Sequence, residues 1–333
     1  MRYIVTGAAG FIGSKISSDL ATAGHEVIGL DNFNDYYDVE LKHLRVDSLL
    51  SPLSVKVERL DICDSLQVNN LIDRFKPNGI FHLAAQAGVR IPLRDISKYV
   101  NSNLVGFANV LKSALEHEVP NFVYASSSSV YGDSLNFPYR EDDINIYPKS
   151  FYGVTKRTNE LIANSLVPNS KTKARGLRFF TVYGPWGRPD MAYFRLINSA
   201  LHGFEFNLFG DGTVERDFTY IDDVSSSTIK LMSQLDRCLV GHSDLVNIGG
   251  GAPVSMRSLI QEIEVQSGAA INLKQQSKFE GDVLKTVASN EYLSQLLDFD
   301  DFTDIKKGIE KTLSWATSLE VKNLISDWVK TSQ

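Results

Sequence analysis

The chain has 333 residues, of which 43% are hydrophobic and 22% are charged, and its formal net charge is −6. This composition excludes disordered, collagen-like and coiled-coil chains, and the negative charge gives no electrostatic support to a nucleic-acid partner. Two cysteines, Cys63 and Cys238, are too few for a disulfide framework. With no signal-peptide pattern and no apolar run of roughly 18 residues, we expect a cytoplasmic protein without membrane contact.

Short apolar strands alternate with amphipathic helices through the first half of the chain. Strands are predicted at Arg2–Val5, Glu26–Leu30, Val55–Leu60, Gly79–Leu83 and Phe122–Ala125. Helices are predicted between them, notably at Gly13–Ala23, Asn101–His117 and Phe151–Ser165. Such alternation is typical of a parallel sheet covered by helices on both faces, and it predicts a Rossmann-type, doubly wound α/β fold.

The alternation loosens after about residue 177. Arg178–Val182 and Leu245–Ile248 still have the pattern of buried strands, while loops and helices such as Ala192–Leu201 surround them. We expect two domains, the second of them smaller and discontinuous. Their predicted extents are 1–177, with later strands near 178–182 and 245–249 returning to it, and 183–333 for a C-terminal substrate domain.

A glycine pattern, Gly-x-x-Gly-x-x-Gly, occupies Gly7, Gly10 and Gly13 between the first strand and the first helix. Glycines allow a tight turn and a close approach of the backbone to a pyrophosphate, and the helix that follows offers unpaired N–H groups. The loop therefore predicts a dinucleotide site. Asp31 ends the second strand, where a carboxylate accepts hydrogen bonds from ribose hydroxyls and repels a 2′-phosphate, so NAD is favoured over NADP.

Tyr152 and Lys156 lie four positions apart in a predicted helix, so both face the same side of it. A free phenol has a pKa of about 10 and is a weak base at neutral pH. A neighbouring ammonium and the positive nicotinamide ring are expected to lower that pKa, so that Tyr152 can remove a hydroxyl proton while hydride leaves the same carbon. A Tyr-x-x-x-Lys pair also occurs by chance on helix surfaces, so it indicates a catalytic pair only when a second motif supports it.

Four serines, Ser126–Ser129, provide that second motif because they follow the Phe122–Ala125 strand. They are expected at the carboxyl edge of the sheet, where open α/β folds bind ligands. A serine there can bridge the reacting hydroxyl and the phenol. Serines at a strand end also serve as turn residues, but their combination with the glycine loop and with Tyr152 and Lys156 favours catalysis.

A set of further segments adds to these motifs: Thr6–Gly13, His82–Ala85, Asn103, Tyr183–Pro185, Arg216–Asp223 and Glu280–Asp282. Together they resemble the extended short-chain dehydrogenase/reductase family, in its nucleotide-sugar epimerase branch, over essentially the whole chain. Asp31–Asp38 and Thr181–Ala192 are similar to the corresponding stretches of UDP-glucuronate 4-epimerases. The resemblance implies reversible epimerisation of UDP-glucuronate to UDP-galacturonate at C4, through a 4-keto intermediate and with tightly bound NAD.

The resemblance also implies roles for individual residues. The implied catalytic set is Ser127, Tyr152 and Lys156. The implied NAD contacts are Gly7, Gly10, Phe11, Ile12, Gly13, Asp31, Asn32, Asp61, Ile62, Leu83, Ala84, Ala85, Asn103, Ser126, Tyr152 and Lys156. The implied contacts of the UDP-sugar are Arg90, Ser127, Ser128, Ser129, Thr181, Arg188, Arg216 and Asp282.

The carboxylate of a glucuronyl substrate sets a special requirement, because a 4-keto uronate is a β-keto acid that readily loses CO₂. Thr181, Arg188, Ser128 and Ser129 are expected to hold the carboxylate out of the alignment that favours this loss, and the planar fork of an arginine suits a carboxylate. Pairing of Arg188 with Asp190 instead stays open. Ser128 and Ser129 stand where related dehydratases and decarboxylases usually carry an acidic residue, which favours epimerisation.

The family resemblance further implies a homodimer formed through Asn101–His117 and Phe151–Ser165, whose apolar residues include Leu104, Phe107, Leu111, Leu161 and Ile162. It also implies a part in supplying precursors of surface polysaccharides. Three alternatives remain: a 4-epimerase of UDP-glucose or UDP-N-acetylglucosamine, a UDP-glucuronate decarboxylase, and a non-enzymatic NAD-binding regulator. The histidines and cysteines show no metal-ligand spacing, so no metal is expected, and His82 is expected to be structural.

Overall fold

The computed structural model describes residues 1–89, 91–277, 283–297 and 302–318. Arg90 and Asp282, two of the predicted substrate contacts, lie outside this part of the chain. The described strands are β1 (Arg2–Thr6), β2 (Glu26–Asp31), β3 (Lys56–Arg59), β4 (Gly79–His82), β5 (Asn121–Ser127), β6 (Lys173–Phe179), β7 (Thr181–Tyr183), β8 (Phe206–Phe209), β9 (Glu215–Tyr220), β10 (Ser243–Ile248), β11 (Pro253–Ser255) and β12 (Leu273–Gln276).

The α-helices lie between these strands and follow the last of them. They are α1 (Phe11–Thr22), α2 (Val39–Arg45), α3 (Ser65–Phe75), α4 (Ile96–Tyr99), α5 (Phe107–Glu116), α6 (Phe151–Leu166), α7 (Ala192–His202), α8 (Ile221–Gln234), α9 (Met256–Ser267), α10 (Glu291–Leu296) and α11 (Ile305–Ala316). In the described ranges, none of the helices has both the length and the hydropathy that crossing a bilayer requires.

Seven parallel strands form the central sheet in the order β10-β6-β5-β4-β1-β2-β3. The order reverses at β1, because the chain continues from β1 to β2 on one side and later places β4 on the other. Ligands of open α/β folds bind at the carboxyl ends of the strands at such a reversal. The predicted Rossmann-type fold is confirmed by this topology.

The central strands are apolar on both faces because helices cover both faces. Val5 and Phe81 are buried on the side of α1 and α8, and Ile4 and Ile80 are buried on the side of α3 and α5. Each such side chain contributes about 1.5–3 kcal/mol through burial. This double cover explains why β1 and β4 have buried apolar residues at consecutive positions rather than at alternating ones.

The predicted strand Arg178–Val182 is wrong as a single element. Its first two residues end β6 in the central sheet, whereas Thr181–Tyr183 forms β7 in a separate three-stranded sheet of order β11-β9-β7. The chain changes sheets at Phe180, whose N–H donates to the Ile248 carbonyl at 3.0 Å and whose ring packs in a small aromatic cluster. A continuous apolar run does not reveal such a change of partner.

The predicted helix Asn101–His117 is also not regular. A π-helical turn, Val100–Gly106, precedes α5. A Cβ on Gly106 would lie 2.5 Å from the Ile62 side chain, so the turn brings two elements into close contact. The division of the chain at residues 177 and 183 remains a prediction, since β6 and β10 of the large sheet and β7 of the small sheet alternate along the sequence.

Candidate active site

A cavity of about 1170 Å³ lies at the carboxyl ends of the central strands. Its walls come from the glycine loop, the serine run, the start of α6 and the segments around Thr181, Arg188 and Arg216. The predicted residues that line it are Gly7, Gly10, Phe11, Ile12, Gly13, Asp31, Asn32, Ile62, Leu83, Ala84, Ala85, Ser126, Ser127, Ser128, Ser129, Tyr152, Lys156, Thr181, Arg188 and Arg216. The fold therefore brings residues spread over 210 positions of sequence to one site.

The glycine loop packs against neighbouring backbone without room for side chains. Gly7 has a φ of 72°, and a Cβ there would lie 2.8 Å from the Ala84 nitrogen. A Cβ on Gly10 would lie 2.9 Å from the Gly7 carbonyl oxygen, and one on Gly13 would overlap that same oxygen. The helix that follows has no side-chain hydrogen bond at its N-cap, Gly10. This geometry suits a phosphate group held by backbone N–H groups at the helix start.

Asp31 is fixed at the end of β2 beside the glycine loop. It is buried, and its carboxylate accepts hydrogen bonds from the N–H groups of Ala9 at 3.1 Å and Phe33 at 2.8 Å. Asn32 lines the cavity and donates to the Asp61 carboxylate at 2.9 Å. Asp61 itself is exposed and is not among the residues that line the cavity, so its contact with the cofactor remains a prediction.

Asn103 also lies behind the cavity wall. Its side chain accepts from the Gln86 N–H at 2.7 Å and donates to the Gln86 carbonyl and to the Thr155 hydroxyl, both at 3.0 Å. These bonds join the loop after β4 to helix α6. The structure therefore places Asn103 where it holds cavity-lining segments together, and a direct contact with the cofactor remains a prediction.

Ser127, Tyr152 and Lys156 meet at the middle of the cavity. Ser150 begins α6 by accepting a hydrogen bond from the Gly153 N–H at 3.0 Å, which places Tyr152 and Lys156 in its first two turns. The Lys156 ammonium donates to the Ala125 carbonyl at 2.8 Å and lies 5.8 Å from the centre of the Tyr152 ring. Burial lowers the pKa of Lys156 to about 8.

The pKa of Tyr152 is raised above its ordinary value of 10, because burial disfavours the phenolate. The Arg188 guanidinium and a hydrogen bond with Ser127 act in the opposite direction but do not outweigh burial. The chain's own residues therefore raise the pKa of Tyr152, and the lowering expected together with the nicotinamide ring remains a prediction. The sequence could not show how strongly the residues packed around the phenol desolvate it.

Arg188 is already paired within the protein. Its Nε and one terminal nitrogen donate to the two carboxylate oxygens of Asp190 at 3.0 and 2.6 Å. The Tyr36 hydroxyl donates to Asp190 at 3.4 Å, and the guanidinium lies 5.7 Å from the centre of the Tyr36 ring. The alternative that the sequence left open is thus the arrangement observed, and both charged side chains line the cavity.

Lys42 and Tyr36 also line the cavity, and the sequence did not single them out. Lys42 is buried, donates to the Asn34 carbonyl at 2.8 Å and lies 4.0 Å from Asp31. A lysine in a short helix with several charges gives no sign that it is buried. Tyr36 falls in a segment that carried the family resemblance, and its ring position depends on Asp190, 154 positions away.

A buried ionic cluster lies behind the serine run and the start of α6. Glu160, one turn after Lys156, accepts hydrogen bonds from Arg178 at 2.8 and 3.0 Å, from Arg157 at 2.8 Å and from the Ser126 hydroxyl at 2.6 Å. Glu160 and Arg178 are both fully buried. The cluster therefore ties α6 to β5 and β6 at the level of the serine run.

Replacing Glu160 by Gln is expected to lower the free energy of unfolding by about 3 kcal/mol, since it leaves the Arg178 charge buried without its counter-charge. Urea unfolding followed by circular dichroism measures the change. Glu116→Gln is the control, because its ion pair with Lys112 is exposed and of little energetic value. Equal stabilities of the two variants would contradict the structural role given to Glu160.

Comparison with known proteins places the chain in a family. The model of the NAD dependent epimerase/dehydratase family matches residues 3–249. The chain belongs to this family. UDP-glucuronate 4-epimerase 3 of Arabidopsis thaliana is 39% identical over 94% of the chain and 75% of the relative.

Solved structures of other family members are similar over almost the whole chain. One is a UDP-glucuronic acid 4-epimerase from Bacillus cereus in complex with UDP-glucuronic acid and NAD, with a TM-score of 0.88 and 32% identity over 97% of this chain and all of that one. Another is a UDP-glucose 4-epimerase from Thermotoga maritima with UDP-glucose, with a TM-score of 0.84 and 26% identity over 95% and 98% of the two chains. The predicted NAD-dependent enzyme of the epimerase type is confirmed at the level of the family.

For this NAD-dependent family member, Gly13→Ala is expected to weaken NAD binding by about fivefold to a hundredfold and so to reduce the NAD retained by the purified protein. The added methyl would overlap the Gly7 carbonyl, and this range corresponds to an overpacking cost of about 1–3 kcal/mol. NAD released by heating and quantified by absorbance measures the effect. Gly24→Ala is the control, because it adds a methyl at a positive φ of 81° with nothing within 4 Å. Equal NAD contents in both variants would contradict the close packing of the loop.

Proposed function

We propose that this protein interconverts UDP-glucuronate and UDP-galacturonate by epimerisation at C4, with NAD held in the same cavity. The observation that carries the proposal is the meeting of Ser127, Tyr152 and Lys156 in one cavity with the glycine loop, Thr181 and Arg188. Relatives named as UDP-glucuronate 4-epimerases support the choice of sugar.

The residues of the cavity fit NAD. The glycine loop and the uncapped start of α1 suit a pyrophosphate, and the fixed carboxylate of Asp31 suits ribose hydroxyls. NAD, when bound, supplies a reversible hydride acceptor for the sugar carbon. Tyr152 removes the proton from the 4-hydroxyl and returns it once the sugar presents its other face, while Ser127 orients that hydroxyl.

Lys156 and Arg188 provide the positive charge around the phenol. Lys156 lies above the ring of Tyr152, and Arg188 lowers the pKa of the phenol against the larger effect of burial. Both favour the phenolate, which is the form of Tyr152 that can accept the proton of the 4-hydroxyl. Ser128, Ser129 and Thr181 have hydroxyls in the cavity wall that can hold the sugar carboxylate.

A second candidate function is the 4-epimerisation of a neutral UDP-sugar. The Arg188–Asp190 pair favours it, because Asp190 already occupies Nε and one terminal nitrogen of the guanidinium and brings a negative charge into the cavity. A uronate epimerase would have to use the remaining donors of Arg188 or rearrange the pair. The role of Arg188 in substrate binding therefore distinguishes the two candidate functions.

The deciding experiment is incubation of the purified protein with UDP-glucuronate, with and without added NAD, followed by chromatography. We expect UDP-galacturonate and no CO₂. Turnover of UDP-glucose or UDP-N-acetylglucosamine, with UDP-glucuronate unchanged, would establish the neutral-sugar alternative. A UDP-pentose with CO₂ would identify a decarboxylase, and no turnover of any of these sugars would support a regulator that binds NAD without catalysis.

We further propose that the protein is a cytoplasmic homodimer whose product serves polysaccharide synthesis. Two residues predicted for the dimer face, Phe107 and Leu111, are instead fully buried in the core of the subunit. Leu161 is 55% exposed, and Val105 and Val154 nearby are each 44% exposed. These three form the apolar face that a second copy would cover.

Leu161→Glu is expected to convert the dimer to a monomer, because it places a charge in an apolar contact. Light scattering after size-exclusion chromatography measures the mass against the chain mass of 37.1 kDa. Leu239→Glu is the control, since Leu239 is 85% exposed and is not part of this face. A wild-type protein that elutes as a monomer would contradict the proposed dimer.

A further inference from the structure

The loop that carries Arg188 has an unfavourable backbone conformation. Trp186 has a φ of 63°, a left-handed conformation that residues other than glycine rarely adopt, and Gly184 has a φ of 141°. The loop also leaves no room at Gly187, where a Cβ would overlap the Tyr193 hydroxyl. Such a conformation persists where the surrounding structure fixes it, and it is typical of functional sites.

Arg45 fixes this loop from beneath. Its Nε donates to the Trp186 carbonyl at 2.9 Å, and one terminal nitrogen donates to the Gly187 carbonyl at 3.0 Å. These are the two residues directly before Arg188. The rigid, planar fork of an arginine can meet both carbonyls at once, which the single ammonium of a lysine cannot do in the same geometry.

The other side of the same guanidinium holds the glycine loop. The second terminal nitrogen of Arg45 donates to the Ala9 carbonyl at 3.1 Å and to the Tyr37 hydroxyl at 2.6 Å. Ala9 lies between Gly7 and Gly10, and its N–H donates to Asp31. One side chain therefore joins the loop that suits the nucleotide phosphates to the loop that carries Arg188.

The burial of Arg45 makes this arrangement costly. Arg45 is fully buried, and its four hydrogen bonds go to three carbonyls and a phenol rather than to a carboxylate. A buried cation without a counter-ion is expensive to maintain. Arg175, by comparison, is equally buried but is paired with Asp244 at 2.7 Å. The three loop carbonyls must therefore stay in place to satisfy the buried guanidinium.

We propose that Arg45 is a positioning residue that couples the glycine loop to the Arg188 loop, so that the state of the nucleotide site determines how Arg188 meets an anionic sugar. A shift of the Ala9 carbonyl on nucleotide binding is transmitted through the rigid guanidinium to Trp186 and Gly187. The coupling to an anionic sugar rests on the proposed function, whereas the anchoring of the loop does not. Because coupling is reciprocal, ordering of the Arg188 loop also favours retention of the nucleotide.

The test compares Arg45→Lys with Arg175→Lys in the full-length protein. The first variant keeps the charge but loses the fork, and the second removes a buried fork that contacts neither loop. Hydrogen exchange of the peptide spanning 183–191, measured by mass spectrometry with and without NAD, reports on the loop directly. We expect Arg45→Lys to raise the exchange rate of this peptide about tenfold and to abolish the slowing by NAD, with Arg175→Lys resembling the wild type.

Kinetics give a second readout. Arg45→Lys is expected to raise the KM for UDP-glucuronate about tenfold relative to any change in the KM for UDP-glucose, with kcat changed less. A merely structural role would lower stability without changing this ratio. Unchanged exchange of the 183–191 peptide in a folded Arg45→Lys variant would overturn the proposal. A raised exchange with unchanged KM values would overturn the coupling to the sugar.

Tyr37→Phe keeps the proposal testable if Arg45→Lys does not fold. It removes one acceptor of Arg45 and leaves the ring in place, so the exchange of the 183–191 peptide is expected to rise by about threefold. No rise in a folded Tyr37→Phe variant would overturn the proposal. If the wild type does not act on UDP-glucuronate, the proposed function fails, and the exchange experiment still decides whether Arg45 anchors the loop.

Discussion

Tyr152→Phe is expected to lower kcat for the epimerisation of UDP-glucuronate by about a thousandfold, with KM changed by less than about threefold. Tyr152 lines the cavity and can take the proton as a phenolate, whereas the Lys156 ammonium donates a hydrogen bond to the Ala125 carbonyl. His82 cannot act as the base in place of Tyr152. It does not line the cavity, it bonds with the Thr6 hydroxyl at 3.0 Å, and burial lowers its pKa to about 3.

The rate of UDP-galacturonate formation, resolved by chromatography, measures this effect, and titration calorimetry with UDP checks that binding survives. Tyr147→Phe is the matched control, since Tyr147 is 74% exposed and does not line the cavity. A Tyr152→Phe variant within tenfold of the wild-type kcat would mean that the phenol is not the base. The proton would then have to pass to Ser127 or to water.

Arg188→Ala is expected to lower kcat/KM about a hundredfold more for UDP-glucuronate than for UDP-glucose. A hydrogen bond to a charged group contributes about 1.5–3 kcal/mol, which corresponds to between tenfold and somewhat over a hundredfold in rate. The comparison with the neutral sugar is essential, because Arg188 also lowers the pKa of Tyr152. Loss of that second effect slows both substrates equally and cancels in the ratio.

Rates with both sugars in the wild type and in Arg188→Ala give the ratio. Arg140→Ala is the control, because Arg140 is exposed and pairs with Asp142 and Glu291 outside the cavity. An equal loss with both sugars would show that Arg188 acts through Tyr152 and its pair with Asp190. That result would favour the neutral-sugar epimerase.

The local sequence was sufficient to predict the position of a motif wherever that motif lies within one turn or one helix. The glycine loop lies between β1 and α1 as predicted, because only glycine fits its close backbone contacts. Tyr152 and Lys156 face the same cavity because a spacing of four is a property of the helix itself. The serine run reaches the same site because parallel strands end at the same edge of a sheet.

Contacts between residues far apart in the chain could not be predicted from the sequence. Arg178 and Thr181 belong to two different sheets because of the partners that each strand finds, and those partners lie far along the chain. The net direction of the Tyr152 pKa depended on desolvation of the phenol by the residues packed around it. The sequence could assign Asn103 to the site, but it could not show that Asn103 forms hydrogen bonds with Gln86 and Thr155 behind the cavity wall.

The sequence by itself determined the Rossmann-type sheet, the glycine loop and the serine, tyrosine and lysine residues that line one cavity. Hydrophobic periodicity, glycine conformation and helical spacing are local properties, and each can be read from a few neighbouring residues. Only the tertiary structure decided that Arg188 pairs with Asp190 and that Arg45 joins the glycine loop to the loop at Trp186, which lies 141 positions beyond Arg45. The geometry of buried charges follows from packing, because the energy of a charge depends on every group that surrounds it.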